Sequence, residues 1–130
     1  MRTLEEIKER MRTIAFAEKF DTVVAVAGGG IVPAAMLNQR LGLDFHLVKL
    51  NRRAPDQTPL REIPLLLEPL AFDPAGRSIL LVEDRVKTGV TLRHAAALLA
   101  SARLVRTLAV NGPADYPLFD EPCFRFPWIL

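Results

Sequence analysis

Two carboxylates, Glu83 and Asp84, close the apolar run 79–82 (ILLV), and a short loop then carries Lys87, Thr88, Gly89 and Thr91 as a helical pattern opens at Val90. This pattern reads as a buried strand delivering two acids to its C-terminal tip, followed by a turn that feeds a helix. Ligands of open α/β sheets bind at that edge, and free N–H groups at a helix start hold phosphates. Carboxylates accept hydrogen bonds from sugar hydroxyls and help hold Mg²⁺. Acids beside a phosphate cradle therefore point to a sugar phosphate. A plain surface turn also uses Asp and Thr, but it has no need of two adjacent, repelling acids.

A second constellation is Ala27 followed by Gly28-Gly29-Gly30. Glycines after a strand permit positive φ and let the backbone approach a ligand, and the helix that follows favours an anion. The dinucleotide fingerprint G-x-G-x-x-G would need Gly at position 33, which is Pro33, and no Gly-Lys-Ser/Thr of a Walker A loop follows. The alternative is a tight strand-to-helix turn. Lys49, Arg52 and Arg53 form a third group, placed to clamp a polyphosphate or to lie solvated in a basic loop. His46 and His94 stand apart, and with one cysteine they make no zinc set. In the tail, Phe124, Phe126 and Trp128 alternate, either to stack on a base or to close the open end of the domain.

The elements that would position these groups follow from hydrophobic spacing. Residues 3–19 read as an amphipathic helix, 22–27 as a buried strand, and 31–41 as a helix ending at Gly42, a C-cap. Residues 45–50 read as a second strand and 51–58, with Pro55, as a loop. A minor strand is expected within 62–67, a strand at 78–82, a helix at 90–102 and a strand at 104–110. The tail from Asn111, with Pro113, Pro117, Pro122 and Pro127, reads as mostly irregular. Strands alternating with helices imply an α/β fold, a parallel sheet covered on both faces. At 130 residues, with no repeat and no linker, one domain over 1–130 is expected.

Composition narrows the function classes. Half of the residues are apolar, and the net charge is only +2, so no nucleic-acid partner is expected. The lone Cys123 excludes an intramolecular disulfide and fits a reducing cytoplasmic compartment; it reads as a small packed residue. The first residues carry no signal-peptide pattern, and no apolar run has the length of a membrane span, so no membrane association is expected.

The stretch ILLVEDRVKTGVTL resembles the phosphoribosyl-pyrophosphate (PRPP) signature of type I phosphoribosyltransferases, an apolar strand, two acids, a short loop and Thr-Gly-x-Thr/Ser. VVAVAGGGIVPA looks like the pyrophosphate loop of that family, and Phe126-Pro127-Trp128 is similar to the C-terminal end of small xanthine/guanine/hypoxanthine-type members. The resemblance spans about residues 4–128. It implies about five parallel strands with flanking helices and a small C-terminal hood. It implies transfer of a 5-phosphoribosyl group from PRPP to a nucleobase, in the purine class, with release of pyrophosphate in nucleotide salvage. The alternative on the same fold is a non-catalytic PRPP- or nucleotide-binding regulatory module.

Residue by residue, the resemblance places Glu83 and Asp84 on the ribose hydroxyls and on Mg²⁺. Arg85, Val86, Lys87, Thr88, Gly89, Val90 and Thr91 would cradle the 5′-phosphate. Ala27, Gly28, Gly29, Gly30, Lys49 and Arg52 would hold the pyrophosphate. Asn111, Cys123 and Phe124 fall on the nucleobase side. Where the family usually offers Arg in the pyrophosphate loop this chain has Gly28. Where purine-type members carry Asp, a base for the purine proton, it has Lys87, so no catalytic base is assigned. A homodimer is expected, as in small family members.

Overall fold

The computed structural model describes residues 2–51, 65–66, 70–122 and 124–130, so most of the loop and minor strand expected across 51–67 lies outside the described residues, as do Arg52 and Cys123. Helix α1 (Leu4–Thr13) starts at a capping box in which Thr3 and Glu6 exchange side-chain and backbone hydrogen bonds. It buries Ile7 and Met11. The helix is shorter than the spacing predicts. Arg40 donates to the carbonyls of Met11 and Ile14, both at 2.8 Å, and this closes the helix end from outside. The chain beyond it turns so that Phe16 meets Phe20 and Tyr116 edge-on.

Strand β1 (Thr22–Val26) is buried along its whole length. Helix α2 (Ile31–Leu41) ends at Gly42 in the left-handed region, φ 63°, as the sequence implies. Then come β2 (Asp44–Val48), the short β3 (Leu50–Asn51) and β4 (Leu65–Leu66), β5 (Ser78–Arg85), α3 (Val90–Leu98), β6 (Leu104–Asn111) and β7 (Tyr116–Phe119). The main sheet has five parallel strands in the order β2-β1-β5-β6-β7. β3 and β4 form a separate antiparallel pair. The chain moves outward from β1 to β2 and then returns to place β5 on the other side of β1. The topological switch point therefore lies between the C-terminal ends of β1 and β5.

One face of the sheet carries Val23, Ala25, Leu80, Val82, Leu108 and Val110 against Ile7 and Met11 of α1, Ala34 and Leu37 of α2, and the tail. The other carries Val24, Val26, Ile79, Leu81 and Ala109 against Leu92, Ala95 and Leu99. This alternation is the two-residue period of a strand buried on both faces.

Besides α1, and β2, which runs Asp44–Val48 rather than 45–50, the structure departs from expectation at β5, α3 and the tail. β5 runs three residues past Val82, because Glu83 and Arg85 still pair with Ala109 and Asn111 of β6. α3 stops at Leu98 rather than Ala102. The tail holds a strand, β7, that its prolines conceal. Pro117 fits because β7 is an edge strand. Only residues 112–115 connect β6 to this parallel neighbour, far fewer than an ordinary crossover. The short return is secured by Asp115, whose carboxylate accepts from the N–H and hydroxyl of Thr107 at 2.9 and 3.1 Å.

After β7 the aromatic residues pack inward. Phe124 meets Phe119 and Phe126 edge-on at 6.0 and 5.2 Å, and Phe126 stacks on Trp128 at 5.1 Å. Phe126 is 1% exposed. Phe126→Ala should cost about 3–5 kcal/mol, measured by urea unfolding. A loss below about 1 kcal/mol would show that the tail is not part of the core.

Candidate active site

The C-terminal ends of β1 and β5 bring the two sequence constellations together. Neighbouring strand residues point to opposite faces, so Glu83 lies on the α3 side and Asp84 on the α2 side. Asp84 packs directly over Gly29, where any Cβ would collide with its carboxylate. Gly30 is as constrained, since a Cβ there would lie 2.5 Å from the carbonyl oxygens of both Val26 and Val82. These glycines are needed for space. Gly28 is needed for conformation, with φ 70° and nothing within 4 Å of its missing Cβ.

The glycine turn is held by its own backbone. Gly30 donates to the Val26 carbonyl at 2.9 Å, Ile31 to Gly28 at 3.3 Å, and Ala27 to Val48 at 2.9 Å. The last bond ties the turn to the end of β2 and brings Lys49, which follows Val48, to this edge. Among the described hydrogen bonds none takes the N–H groups of Gly28 and Gly29, which are left for a ligand.

On the other side, Glu83 and residues 85–92 line a cleft of about 260 Å³. Val86 is buried and its N–H donates to the Asn111 carbonyl at 2.9 Å, so it stabilises the loop rather than offering a donor. Lys87 and Thr88 are exposed, and Gly89, at φ 80°, starts α3. The Thr88 hydroxyl accepts from Val90 N–H at 3.4 Å, and the first backbone bond of the helix is Arg93 to Gly89. The N–H groups of Lys87, Thr88, Gly89, Thr91 and Leu92 have no partner among the described hydrogen bonds. A loop and helix start with free donors form an anion cradle.

Burial pushes the Glu83 carboxyl up to about 8, and the neighbouring Asp84 charge adds to the shift, while a hydrogen bond from Asp84 N–H opposes it. A site that penalises its own second negative charge is suited to a cation or to hydroxyl donors.

Other sequence candidates are committed elsewhere. Arg85 stands in the cleft wall, but its guanidinium turns to the tail and donates to the Phe124 carbonyl at 2.7 Å. Asn111 is buried, and its amide exchanges two 3.1 Å hydrogen bonds with the Glu121 backbone. Phe124 is buried among aromatics and presents no open face to a base. Of the two readings of the tail aromatics, packing is the one the geometry supports for Phe124 and Phe126. Sequence spacing misses the span from Arg85 to Phe124, because thirty-nine residues separate them and an arginine at a strand end carries no periodic signal.

A five-stranded parallel sheet, with two turns at its switch point that have unpartnered N–H groups among the described hydrogen bonds and an acidic pair between them, defines an α/β protein whose site has the chemistry to receive an anion. Residues 2–123 match the phosphoribosyl transferase domain, and the chain belongs to that family. It is 31% identical over 105 residues to a xanthine-guanine phosphoribosyltransferase of Vibrio atlanticus, covering 81% of this chain and 64% of that protein. It thus spans less than two thirds of that relative's length. It is 26% identical to the protein of the same name from Idiomarina loihiensis, covering 95% and 83%. A purine phosphoribosyltransferase from Pyrococcus horikoshii has the same fold, with TM-score 0.79, 21% identity, and 98% and 91% of the two chains covered. A hypoxanthine phosphoribosyltransferase from Staphylococcus aureus aligns with TM-score 0.77 at 16% identity, covering 92% and 75%.

Two predictions follow from this geometry. Gly28→Ala should cost about 1–2 kcal/mol through its positive φ, and Gly30→Ala clearly more, because two strand carbonyls must move; thermal melts of both variants compare them. The second concerns Glu83, whose carboxyl ordinarily titrates at 4.5 and here near 8. Between those values the folded protein holds a proton that the unfolded chain has lost, so stability of the ligand-free protein falls as pH rises from about 5 to about 8, by on the order of a few kcal/mol. Glu83→Gln should flatten this decline in Tm against pH. An equally steep decline in the variant would mean that another group is responsible.

Proposed function

We propose that this protein, as one domain over residues 1–130, transfers a 5-phosphoribosyl group from PRPP to a nucleobase of the purine class, releasing pyrophosphate, in nucleotide salvage. The observation that carries this reading is the seating of Asp84 over Gly29. It joins an acidic pair and a phosphate cradle on β5 to a glycine turn on β1, the arrangement a phosphorylated sugar with a second phosphate group requires. Family membership and the purine-related names of its relatives support the substrate class.

In this proposal the N–H groups of Lys87, Thr88, Gly89 and Thr91, with the hydroxyls of Thr88 and Thr91, bind the 5′-phosphate at the start of α3. Glu83 and Asp84 accept from the ribose hydroxyls and orient the sugar. Gly28, Gly29 and Lys49 receive the pyrophosphate, and Arg52 is proposed to join them. Cleavage leaves positive charge on the sugar and negative charge on the leaving group. The chain therefore acts chiefly by positioning the reactants and by placing donors where the pyrophosphate departs. Lys87, exposed at the cleft, is a donor rather than a base for the nucleobase proton.

Mg²⁺ is proposed to accompany PRPP. The residues fit it. Two carboxylates supply hard oxygen donors, and Mg²⁺ commonly takes one or two carboxylates together with substrate phosphates. When bound, it supplies charge that neutralises the phosphate oxygens. Among the described residues no helix is long and apolar enough to cross a membrane. We place the activity in the cytoplasm and expect a homodimer.

The test is to incubate the protein with PRPP, Mg²⁺ and a panel of bases and to follow pyrophosphate release. Release is expected with at least one purine. Glu83→Gln with Asp84→Asn should weaken PRPP binding by about tenfold or more, since the changes remove the acidic pair's acceptor oxygens for the ribose hydroxyls. PRPP binding without release for any base would favour the non-catalytic module, and unchanged affinity in the double variant would move the site elsewhere.

A further inference from the structure

The tail is held at two separate places. At its start, the Asn111 amide grips the backbone of Glu121, and Arg2 donates to both carboxylate oxygens of Glu121 at 2.9 and 2.8 Å. Further along, the Arg85 Nη2 donates to the Phe124 carbonyl at 2.7 Å, and the guanidinium lies over the Phe126 ring, 5.0 Å from its centre. Phe126 in turn lies parallel to Trp128, with 5° between the rings. The first anchor already attaches the tail to the sheet. The second reaches it from the site itself.

Arg85 follows Asp84, and its own N–H donates to the Asp84 carboxylate at 2.5 Å. One residue thus touches the acid that sits over the glycine turn through its main chain and the tail through its side chain. We propose that Arg85 is a positioning residue that couples the tail, residues 120–130, to the phosphoribosyl end of the cleft, so that occupancy of the cleft sets the tail and with it the nucleobase end. This rests on the PRPP reading of the site. When the Asp84 carboxylate accepts from a sugar hydroxyl, its bond to the Arg85 N–H is redistributed, and the guanidinium moves with that backbone. The stack is poised to respond. Among the described residues its two buried donors, Arg85 Nε and Trp128 Nε1, have no hydrogen-bond partner, and an unpaired buried donor leaves such an arrangement little surplus stability. Coupling of this kind needs a contact that differs between two states, and the Arg85–Phe124 bond is that contact.

Trp128 is the single tryptophan of the chain, so its fluorescence reports the stack directly. The experiment titrates the protein with PRPP and Mg²⁺, following Trp128 emission beside calorimetric binding, in the wild type, Arg85→Met and Arg85→Lys. Emission should change on binding in the wild type. In Arg85→Met calorimetry should still record PRPP binding while the emission change is lost, and Arg85→Lys should restore part of it. In the transfer assay Arg85→Met should raise KM for the base by about tenfold, the worth of one charge-assisted hydrogen bond, with kcat within about twofold. Should Arg85→Met not fold, Phe126→Leu takes its place. It removes the ring beneath the guanidinium and must blunt the emission change equally; an undiminished response overturns the coupling. PRPP binding without a Trp128 response in the wild type, or a wild-type response in Arg85→Met, overturns the coupling alone. Absence of PRPP binding in the wild type overturns the functional reading and the coupling with it.

Discussion

The close approach of Asp84 to Gly29 is the constraint on which the rest of the site depends. β1 and β5 are hydrogen-bonded neighbours from Thr22–Ile79 to Ala25–Val82, so the residues just beyond them are forced into contact. A side chain at position 29 would displace the Asp84 carboxylate, and one at position 30 would strike the carbonyls of both strands. The glycines thus let the turn after β1 lie flat against the acid after β5. The loop that opens α3, an acidic pair and a glycine turn then share one edge, with the helix starts of α2 and α3 on either side.

Electrostatics at that edge are balanced against stability. Glu83 is placed where its charge is disfavoured, by burial and by its neighbour, while surrounding N–H groups go unpaired. Both features cost free energy in the ligand-free protein. Strain and unsatisfied groups of this sort concentrate at functional sites. The core beneath supports them, since β1 and the first five residues of β5 are buried on both faces and the apolar side chains of the sheet divide between the α1/α2 side and the α3 side.

The tail completes the domain in an unusual way. Pro117 confines β7 to the sheet edge, and four residues return the chain to a parallel register that ordinarily needs a helix. The aromatics that follow serve the core rather than an open platform. Asn111, which in sequence stands among the candidate base-reading groups, spends its amide on holding this tail.

Local pattern alone determined the elements that carry the chemistry. The apolar run before Glu83, the glycines after β1 and the Gly42 cap each follow from short-range rules of burial, conformation and capping, so β1, α2, β5 and both turns are legible in the chain. The order of strands in the sheet, the contact of Asp84 with Gly29, the loss of the Val86 N–H to Asn111 and the reach of Arg85 to Phe124 are not. Each depends on residues distant in sequence meeting across a sheet, and no local spacing encodes such a meeting. Helical spacing overestimates α1 for the same reason, since the arginine that closes its end, Arg40, lies in α2. β7 was hidden because Pro117 breaks a strand by local rules, and only its position at an edge, a property of the assembled sheet, permits it.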